Sequence, residues 1–596
     1  MENIREHLFQ KMRDDHINMF YLGLSDDHQS EYVQEAFQNI KYLTGFSGSN
    51  AMVVAICREN ERSIRLWTDG RYFIQAEKQL EGTGVILMKI ATEGYPTPDE
   101  FIRENIRPSD TLVSCGSRIG AVMGRRLEEI CRAAGAEFSL ISDLEKYIPT
   151  GVEVETAPVR IYPMEYAGVS TRDKIDQVRQ KLYEAGANAL SIINLEEICW
   201  LFNIRGNDIP CNPVCLSYAV ITPLSVRLYL NRNVISDQLR AYASEQGFEI
   251  APYEDYYGDL RNFTDNSVWL FDPSDNNCLT EHSLKASQKM VEGVNPIPLL
   301  KAVKNETEIK WTIQRYIEDS AVLTKLILRL KNDPEFASHD EWYIADTLNK
   351  MRLEQKDCFD LSFLTISAWG ENAAMMHYEP DEDHFSETGT DGFLLIDSGG
   401  QYMGATTDVT RTISRGHLTD EMIADYTDVT VSHLDLMQAV FLDGVNGMNL
   451  DILARGRLWK RGLDYKCGTG HGIGSCLSVH ETPPGLSWQY RKGRDIPFKP
   501  GMIVSDEPGV YKEGKYGIRI ESILLVEDCC ETSDGRFFKF RPLTFVPLDN
   551  DAMDKSRMTE REIAWYNDYQ MLVRNTIAPY LTEEENKQLI KETLPL

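Results

Sequence analysis

The chain has 596 residues and a formal net charge of −30, so it has material for about three or four domains with large cores. The acidic excess excludes nucleic acid and anionic membranes as expected partners, because both would repel the protein and no run rich in Lys or Arg offers a local exception. No stretch approaches the roughly 20 apolar residues of a membrane span.

The N-terminal segment MENIREHLFQKMRDDH is charged within its first five residues and lacks an apolar core. We therefore expect neither a signal peptide nor a transit sequence. The 12 cysteines include no C-x-x-C pair, and in a chain of this size they are typical of reduced, buried thiols. Together these features predict a cytoplasmic protein.

Two segments in the first 300 residues follow one plan. Residues 42–50 and 200–208 each begin with an aromatic residue and Leu and reach a Gly six positions later. Each follows a stretch with apolar residues at three- or four-residue steps, the spacing of one helix face. Those apolar residues are Ile4, Leu8 and Met12 before the first segment and Ile175, Val178 and Leu182 before the second. Two related α/β lobes, at 1–150 and 151–300, are the economical interpretation, with a chance match as the alternative.

Prolines and helix-start signals mark the remaining boundaries. The stretch 147–166 contains three prolines and is the predicted linker between the lobes, and Pro296 and Pro298 mark the next boundary. A long helical pattern begins at Glu306 and opens a region that we place at 301–550. Beyond it, at 551–596, two helix-like segments begin at Thr559 and Thr582. Each of these has Glu three residues on, which is a capping-box signal.

Five residues of the 301–550 region stand in short strand or loop signals of the kind that builds a site for two metal ions. They are Asp397, Asp408, His471, Glu507 and Glu521. Four carboxylates and one imidazole suit a pair of hard divalent cations, which can hold a bridging hydroxide ready to attack a carbonyl. Oxygen-rich ligation favours manganese or a similar ion over structural zinc, which prefers Cys and His.

The first two candidates lie on neighbouring predicted strands. The apolar run 393–396 predicts a buried strand that delivers Asp397 at its end. Asp408 begins the alternating DVTRTI, which predicts a second strand pairing back on the first.

The other three candidates come later in the chain. His471 lies between two glycines of GTGHGIG, which have no side chain to keep a metal or substrate from the backbone. Glu507 follows the apolar run 502–504 and precedes a Pro-Gly turn. The alternation in YGIRIESILLV predicts one strand that carries Arg519 and Glu521 on the same face.

Two rival interpretations of this region are weaker. GTGHGIG is no dinucleotide fingerprint, because a G-x-G-x-x-G pattern beginning at Gly468 would need glycine at position 473, which is Ile473. A nucleophilic Cys467 or Cys476 is supported by nothing beyond its proximity to His471.

With these five residues in this order, the chain resembles the pita-bread metallopeptidases, the family of methionine aminopeptidase, prolidase and aminopeptidase P. The resemblance is strongest to the long, three-domain aminopeptidase P. It extends to YLTGFSGSNA and WTDGRYFIQAEKQL in the first lobe, WLFNIRGNDIPCNPV in the second and KAVKNETEIK at the start of the third region. It implies two creatinase-like α/β domains, a pita-bread catalytic domain and a helical C-terminal extension, assembled as a homodimer.

The resemblance also implies roles for individual residues. Glu507 would be the general base as well as a metal ligand, and His377 and His480 would be catalytic and face the substrate. Tyr511 and Arg519 match substrate-binding positions near the metals, although Arg519 is equally well explained as an ion-pair partner of an acidic neighbour. The implied metal is manganese, for which cobalt or iron often substitutes.

Three departures from the family pattern affect the substrate edge rather than the ligands. Cys467 stands where many relatives have histidine, Thr482 replaces a glycine and Asp506 replaces a common asparagine. They leave substrate preference and rate open.

The predicted function is the metal-dependent release of the N-terminal residue from peptides with proline in second position. Proline forms a tertiary amide that lacks an N–H, so a dedicated site is plausible. One alternative is a prolidase-type dipeptidase, against which the chain length and the WTDGRY and IRGNDIP strings argue. The other is an inactive peptide-binding module of the same fold, which the retention of all five ligands disfavours.

Overall fold

A computed structural model describes residues 2–263, 267–285, 288–490 and 495–596. The chain forms two compact units, the first from residues 1–162 and 169–297 and the second from residues 163–168 and 298–596. This division separates neither the two lobes from each other nor the C-terminal extension from the region before it, so the four boundaries remain predictions. Among the described residues, no helix has both the length and the apolar character that crossing a membrane requires.

The first lobe is a six-stranded mixed sheet flanked by helices. Its strands are β1 Met19–Gly23, β2 Met52–Arg58, β3 Glu61–Thr68, β4 Ile86–Lys89, β5 Thr111–Cys115 and β6 Glu137–Ile141. Its helices are α1 Glu2–Asp14, α2 Asn39–Thr44, α3 Phe73–Leu80, α4 Pro98–Asn105 and α5 Ala121–Ala134. The spatial order is β4-β3-β2-β1-β5-β6, with β1, β2 and β3 antiparallel and the outer pairs parallel. The central strands are buried on both faces, which suits a sheet covered by helices on both sides.

The second lobe repeats this plan. Its strands are β7 Arg160–Ile161, β8 Ala189–Ile192, β9 Ile204–Arg205, β10 Ser217–Ile221, β11 Val226–Leu230, β12 Glu249–Pro252, β13 Val268–Phe271 and β14 Lys289–Glu292. The helices of this stretch are α6 Met164–Ala167, α7 Thr171–Glu184, α8 Leu195–Leu201, α9 Asp237–Gln246, α10 Tyr256–Asn262 and α11 Cys278–Lys285. The main sheet has the order β12-β11-β10-β8-β13-β14, with the same strand directions as the first lobe.

This identity of strand order confirms that the two lobes are related. Both predicted leading helices are also present, since α1 precedes the central strand of its sheet and α7 precedes β8. Each of these helices buries the apolar face that the three- and four-residue spacing predicts.

The second unit combines several small sheets with longer helices. Its helices before residue 550 are α12 Ile297–Ala302, α13 Glu306–Asn332, α14 Glu341–Leu353, α15 Asp420–Met437 and α16 Gly447–Trp459. Its strands are β15 Cys358–Leu361, β16 Ile366–Trp369, β17 Gly392–Ser398, β18 Gly400–Tyr402, β19 Ala405–Thr406, β20 Val409–Arg415, β21 Val440–Leu442, β22 Gly470–Gly472, β23 Glu481–Leu486, β24 Ile503–Asp506, β25 Gly509–Lys512, β26 Tyr516–Arg519, β27 Ser522–Thr532 and β28 Gly535–Pro542.

Two sheets of this unit position the candidate site. One has the order β16-β17-β20 and the other β21-β28-β27-β24-β22-β23. The long helix α13 begins as predicted, because Asn305 and Glu308 form a capping box at its N-terminus. One large apolar core lies between α15, α16 and the six-stranded sheet.

The C-terminal extension is helical, as predicted. It consists of α17 Glu560–Ile577 and α18 Glu583–Glu592. Both predicted capping boxes are present, with the Thr559 and Thr582 hydroxyls accepting from the backbone N–H three residues on. Residues of α17 such as Tyr566 and Tyr569 belong to the apolar core of the unit. The predicted fold class, α/β lobes followed by an α+β unit with a helical tail, is therefore confirmed.

Candidate metal centre

Asp397 and Asp408 meet at the end of an antiparallel strand pair. Asp397 is the penultimate residue of β17 and lies opposite Thr410 of β20, while Asp408 directly precedes β20. Both side chains are buried. The two predicted strands, one from an apolar run and one from an alternating pattern, therefore place the two carboxylates at the same edge of the sheet.

His471 joins Asp408 and Glu507 from the neighbouring sheet. It lies in β22, which pairs with β24, and Glu507 follows β24 directly. The His471 Nε2 atom is 3.4 Å from a carboxylate oxygen of Asp408 and 3.4 Å from one of Glu507. The Nδ1 atom is 2.9 Å from the carbonyl oxygen of Gly472 and can donate to it. That bond orients Nε2 toward the two carboxylates, which is the arrangement of a metal ligand.

Glu521 completes the cluster, but not from the strand that we predicted. The single strand expected through YGIRIESILLV is wrong: β26 ends at Arg519, β27 begins at Ser522, and the two belong to different sheets. The segment between them lies against β20, where the Glu521 N–H donates to the Thr410 carbonyl at 3.1 Å. The Thr410 hydroxyl in turn donates to the Glu521 carboxylate at 2.8 Å.

The donor atoms are close enough to share a cation. One ligand atom each from Asp408, His471 and Glu521 lies within 4.8 Å of the others. Burial raises the pKa of Asp397, Glu507 and Glu521, and the charge of Asp408 raises each further. Part of each rise comes from repulsion between neighbouring carboxylates, so added positive charge would stabilise the cluster.

Two observations make these residues fit divalent cations. The Oδ1 atom of Asp397 is buried and has no hydrogen-bond partner among the described residues, although a buried carboxylate oxygen normally has one. The donor set is rich in carboxylate oxygens with a single imidazole, which suits hard ions.

The predicted substrate-binding residues surround this cluster. The His480 ring is 4.3 Å from the His471 ring, centroid to centroid. Arg519 donates to the Tyr511 hydroxyl at 2.9 Å and to the Asp397 carboxylate at 2.5 Å. The ion-pair interpretation of Arg519 thus has its acidic neighbour.

His377 lies in the loop between β16 and β17. The carbonyl of the preceding residue, Met376, accepts a hydrogen bond from Arg519 at 3.3 Å. This contact brings the loop to the same side of the cluster as Arg519.

The glycines around His471 have a further role beyond the one that we expected. A Cβ atom on Gly470 would lie 1.9 Å from the Ser505 carbonyl oxygen, and one on Gly472 would lie 2.6 Å from that of Glu481. These glycines let β22 approach both neighbouring strands closely, and so they fix the position of His471 between them.

Several supporting residues escaped the sequence analysis. Thr410 holds Glu521, as described above. Tyr316 of α13 is fully buried near the cluster, and burial together with the charges of Asp408 and Glu521 raises the pKa of its hydroxyl. Threonine in an alternating strand and tyrosine in a long helix are ordinary residues, so no local signal distinguishes them.

A buried ion triad and a buried His–Asp contact lie beside residues of the site. Lys301 donates to Glu481 at 2.7 Å and Lys304 donates to the other oxygen of the same carboxylate. His433 of α15 lies 2.9 Å from Asp506, the residue before Glu507, and both side chains are fully buried. Asp506 was noted as a departure from the family pattern, but its partner could not be identified from sequence.

Family models match almost the whole chain. The creatinase/prolidase N-terminal domain matches residues 5–145 and again 152–308. Metallopeptidase family M24 matches residues 317–528, and the C-terminal region of peptidase M24 matches residues 536–596. The creatinase-like lobes, the pita-bread domain and the C-terminal extension that the resemblance implies are therefore present in the expected order.

Individual relatives agree over nearly their full length. The chain is 35% identical to a probable Xaa-Pro aminopeptidase P of Talaromyces marneffei, covering 99% of this chain and 91% of that protein. It is 34% identical to Xaa-Pro aminopeptidase 1 of Dictyostelium discoideum, covering 97% and 93%.

A solved structure matches equally well. The X-prolyl aminopeptidase of Caenorhabditis elegans, described as a cytosolic enzyme with a di-nuclear active site, superposes with a TM-score of 0.92. It is 30% identical and covers 97% of this chain and 95% of its own. On this agreement of domain order, sequence and structure, the chain belongs to the Xaa-Pro aminopeptidase P group of metallopeptidase family M24.

Proposed function

We propose that this protein removes the N-terminal residue from peptides whose second residue is proline, using two divalent cations held by the five residues of the cluster. Those ligands are Asp397, Asp408, His471, Glu507 and Glu521. The observation that carries the proposal is the convergence of Asp408, His471 and Glu521 within 4.8 Å, with the orphaned Asp397 oxygen beside them. The near-full-length similarity to aminopeptidases of this specificity supports the substrate class.

The metal that we propose is manganese, because most donors are carboxylate oxygens. When bound, a pair of divalent cations supplies an activated water and polarises the scissile carbonyl. The structure of C. elegans X-prolyl aminopeptidase, whose active site is described as di-nuclear, supports the number of ions.

Glu507 is the proposed general base. Its carboxylate directly follows β24 and lies 3.4 Å from the Nε2 atom of His471, within the cluster that would hold the attacking water. It takes the proton of the attacking water and passes it to the prolyl nitrogen, which must be protonated to leave as an amine. The Ser505 hydroxyl donates to this carboxylate at 3.2 Å and holds it in place.

Four further residues bind and orient the peptide in this proposal. His480 lies against His471, and His377 follows a residue bound by Arg519. From these positions the two histidines contact the scissile carbonyl and the bound groups of the peptide. Arg519 and Tyr511, which are hydrogen-bonded to each other, shape the substrate side of the Asp397 carboxylate.

The direct test is peptide hydrolysis by metal-stripped protein with and without added Mn²⁺. A tripeptide Xaa-Pro-Xaa should lose its first residue only when Mn²⁺ is present, and the matched peptide with Ala in second position should stay intact. Cleavage of Xaa-Pro dipeptides alone would indicate a prolidase. Peptide binding without turnover would indicate an inactive binding module.

We also propose that the protein is a cytoplasmic homodimer. The description of the C. elegans relative as cytosolic supports the location. For the dimer, α16 exposes Met448, Ile452 and Trp459 on one face, and Trp459 contacts the half-exposed Trp488. Exposed apolar clusters of this kind are typical of protein interfaces.

Sedimentation velocity tests the assembly. The wild type should sediment as a dimer and Ile452→Glu as a monomer. Leu224→Glu, which places the same charge on an exposed apolar residue of the second lobe, should remain dimeric. A monomeric wild type would contradict the proposal.

A further inference from the structure

The C-terminal extension reaches the metal centre through one buried arginine. Arg411 lies on β20, three residues after Asp408, and only 1% of its surface is exposed. Burying a guanidinium is costly unless its N–H groups find acceptors. Arg411 meets this need with contacts that extend in two directions, toward Glu521 and toward α17.

On the inner side, Arg411 binds the backbone of a proposed metal ligand. Its Nη1 atom donates to the Glu521 carbonyl oxygen and, at 2.9 Å, to the Thr410 carbonyl oxygen. Thr410 itself binds the Glu521 N–H and carboxylate. Two successive residues of β20 therefore hold the main chain and the side chain of Glu521.

On the outer side, Arg411 binds the extension. Its Nη2 atom donates to the Tyr569 hydroxyl at 2.7 Å and to the Val546 carbonyl at 2.9 Å. The Tyr569 hydroxyl lies 3.1 Å from the carbonyls of Thr544 and Val546, either of which can accept its proton. Tyr569 is buried in α17, so its hydroxyl links the extension to the guanidinium without competition from bulk water.

A second contact ties the far end of β20 to the same region. The Asp549 carboxylate accepts from the N–H of Ser414 at 2.7 Å and from its hydroxyl at 2.8 Å. Lys331 donates to Asp549 and also to Glu592 of α18, at 2.9 Å. Both helices of the extension are thus connected to the strand that follows Asp408.

We propose that the C-terminal extension positions the metal centre, with Tyr569 acting through Arg411 to fix the backbone of Glu521 and so to set the affinity for the cations. The proposal rests on the assignment of Glu521 as a metal ligand. Tyr569 and Arg411 are positioning residues, since the geometry places another residue between each of them and any reacting atom.

The test compares two tyrosines of the same helix in the full-length protein. Tyr569→Phe removes the hydroxyl that accepts from Arg411. Tyr566→Phe is the matched control, because its hydroxyl is bound to Asn550 at 2.7 Å and has no described contact with Arg411. Both variants lose one buried hydroxyl, so both should lose some thermal stability.

The readout is the dissociation constant for Mn²⁺, measured by calorimetric titration of metal-stripped protein. Tyr569→Phe should weaken binding about tenfold, the lower end of the range for residues that support a metal ligand, while Tyr566→Phe should bind like the wild type. Equal affinities of Tyr569→Phe and wild type would overturn the proposal. If Tyr569→Phe does not fold, Arg411→Lys takes its place. Lysine keeps the positive charge but lacks the planar guanidinium that donates to Glu521 and Tyr569 at once.

Glu521→Ala separates the two possible failures. If this variant binds Mn²⁺ like the wild type, Glu521 is no ligand and the underlying assignment fails. If it loses Mn²⁺ while Tyr569→Phe binds normally, the assignment stands and the positioning role of the extension is refuted.

Discussion

Buried carboxylates occur in two contrasting settings within the second unit. Glu481 is paired with Lys301 and Lys304, whose ammonium groups contact separate oxygens of its carboxylate. The metal-centre carboxylates face one another, and Arg519 contacts only Asp397 among them at hydrogen-bond distance in the described structure. The first setting has one ammonium group for each carboxylate oxygen. In the second, four carboxylates share one guanidinium and one imidazole, and divalent cations would supply the remaining positive charge.

The contrast shows how a protein can hold a cation site open. A buried charge without a partner is expensive, and the usual outcome of such burial is an internal ion pair. Lys331 with Asp549 and Arg352 with Asp319 follow that pattern. The metal centre departs from it, and the raised pKa values of Asp397 and Glu521 record the cost. Binding of divalent cations would offset that cost.

The largest expected effect comes from removing a ligand. Asp408→Ala should lower kcat/KM on a Xaa-Pro tripeptide by more than about 100-fold, because even residues that merely support a ligand are worth roughly 10–100-fold in activity. Steady-state hydrolysis at saturating Mn²⁺ measures this. Asp443→Ala, at an exposed position, is the control and should retain full activity. Normal activity of Asp408→Ala would show that the cluster is not the reaction centre.

The next largest effect is a loss of stability when the buried carboxylate of Glu481 is removed. Glu481→Gln leaves Lys301 and Lys304 buried without their carboxylate, so it should lower the free energy of unfolding by about 3–5 kcal/mol. Urea denaturation of metal-stripped protein measures this loss. Glu527→Gln, whose carboxylate forms a surface pair with Arg541, should change stability by less than about 1 kcal/mol. If the two substitutions cost the same, the buried charges at Glu481 are not coupled as their geometry implies.

At the metal centre, neutralising a carboxylate should change the free energy of unfolding in the opposite direction. Without metal, Glu521→Gln should raise the free energy of unfolding by about 1 kcal/mol, because it removes one of several mutually repelling buried carboxylates. The amide oxygen can still accept from Thr410. With Mn²⁺ present the same substitution should destabilise, since a ligand is lost. Denaturation in chelator and in Mn²⁺ would reveal this change of sign, and its absence would refute the contrast drawn above.

The smallest effect is expected at Asp435, a partly buried carboxylate that has both like and opposite charges nearby. Burial and the charge of Glu562 raise the pKa of Asp435 from 3.8 to about 6, against the nearby Arg457 and Lys460. Because the folded-state pKa is raised, the penalty on folding is full above pH 6 and fades as the pH falls toward 4. Asp435→Asn should therefore stabilise the protein by about 1 kcal/mol at pH 7.5 and hardly at all at pH 4. Melting temperatures at both pH values measure the difference, and a pH-independent shift would contradict it.

Local patterns were sufficient to predict the main elements and to place candidate ligands at their ends; the ligand set itself stays a prediction. Hydrophobic runs marked the strands that deliver Asp397 and Glu507, and capping boxes marked α13, α17 and α18. The repeated aromatic-Leu-to-Gly plan identified two related lobes. Each of these signals depends on spacing along a single segment, which is what a sequence displays directly.

The supporting contacts could not be predicted, because they join distant segments. Glu481 and Lys301 are 180 positions apart, and Arg411 and Tyr569 are 158 apart. The wrong prediction of a strand through Glu521 has a related cause. The alternation from Tyr516 to Val526 fits one continuous strand. In the structure the strand is interrupted, because the N–H groups of Arg519 and Glu521 donate to Thr412 and Thr410 of β20. Local periodicity cannot report a competing partner elsewhere in the chain.

The identical sheet order of the two lobes has a consequence for how this chain arose. Such agreement in the sequence of neighbours and in every direction of pairing is the outcome expected when one ancestral segment is copied and both copies are kept. In sequence, the two halves share an aromatic-Leu start and a Gly six positions later. The halves therefore offer an internal comparison, in which positions that carry similar side chains in both are candidates for what this backbone arrangement requires.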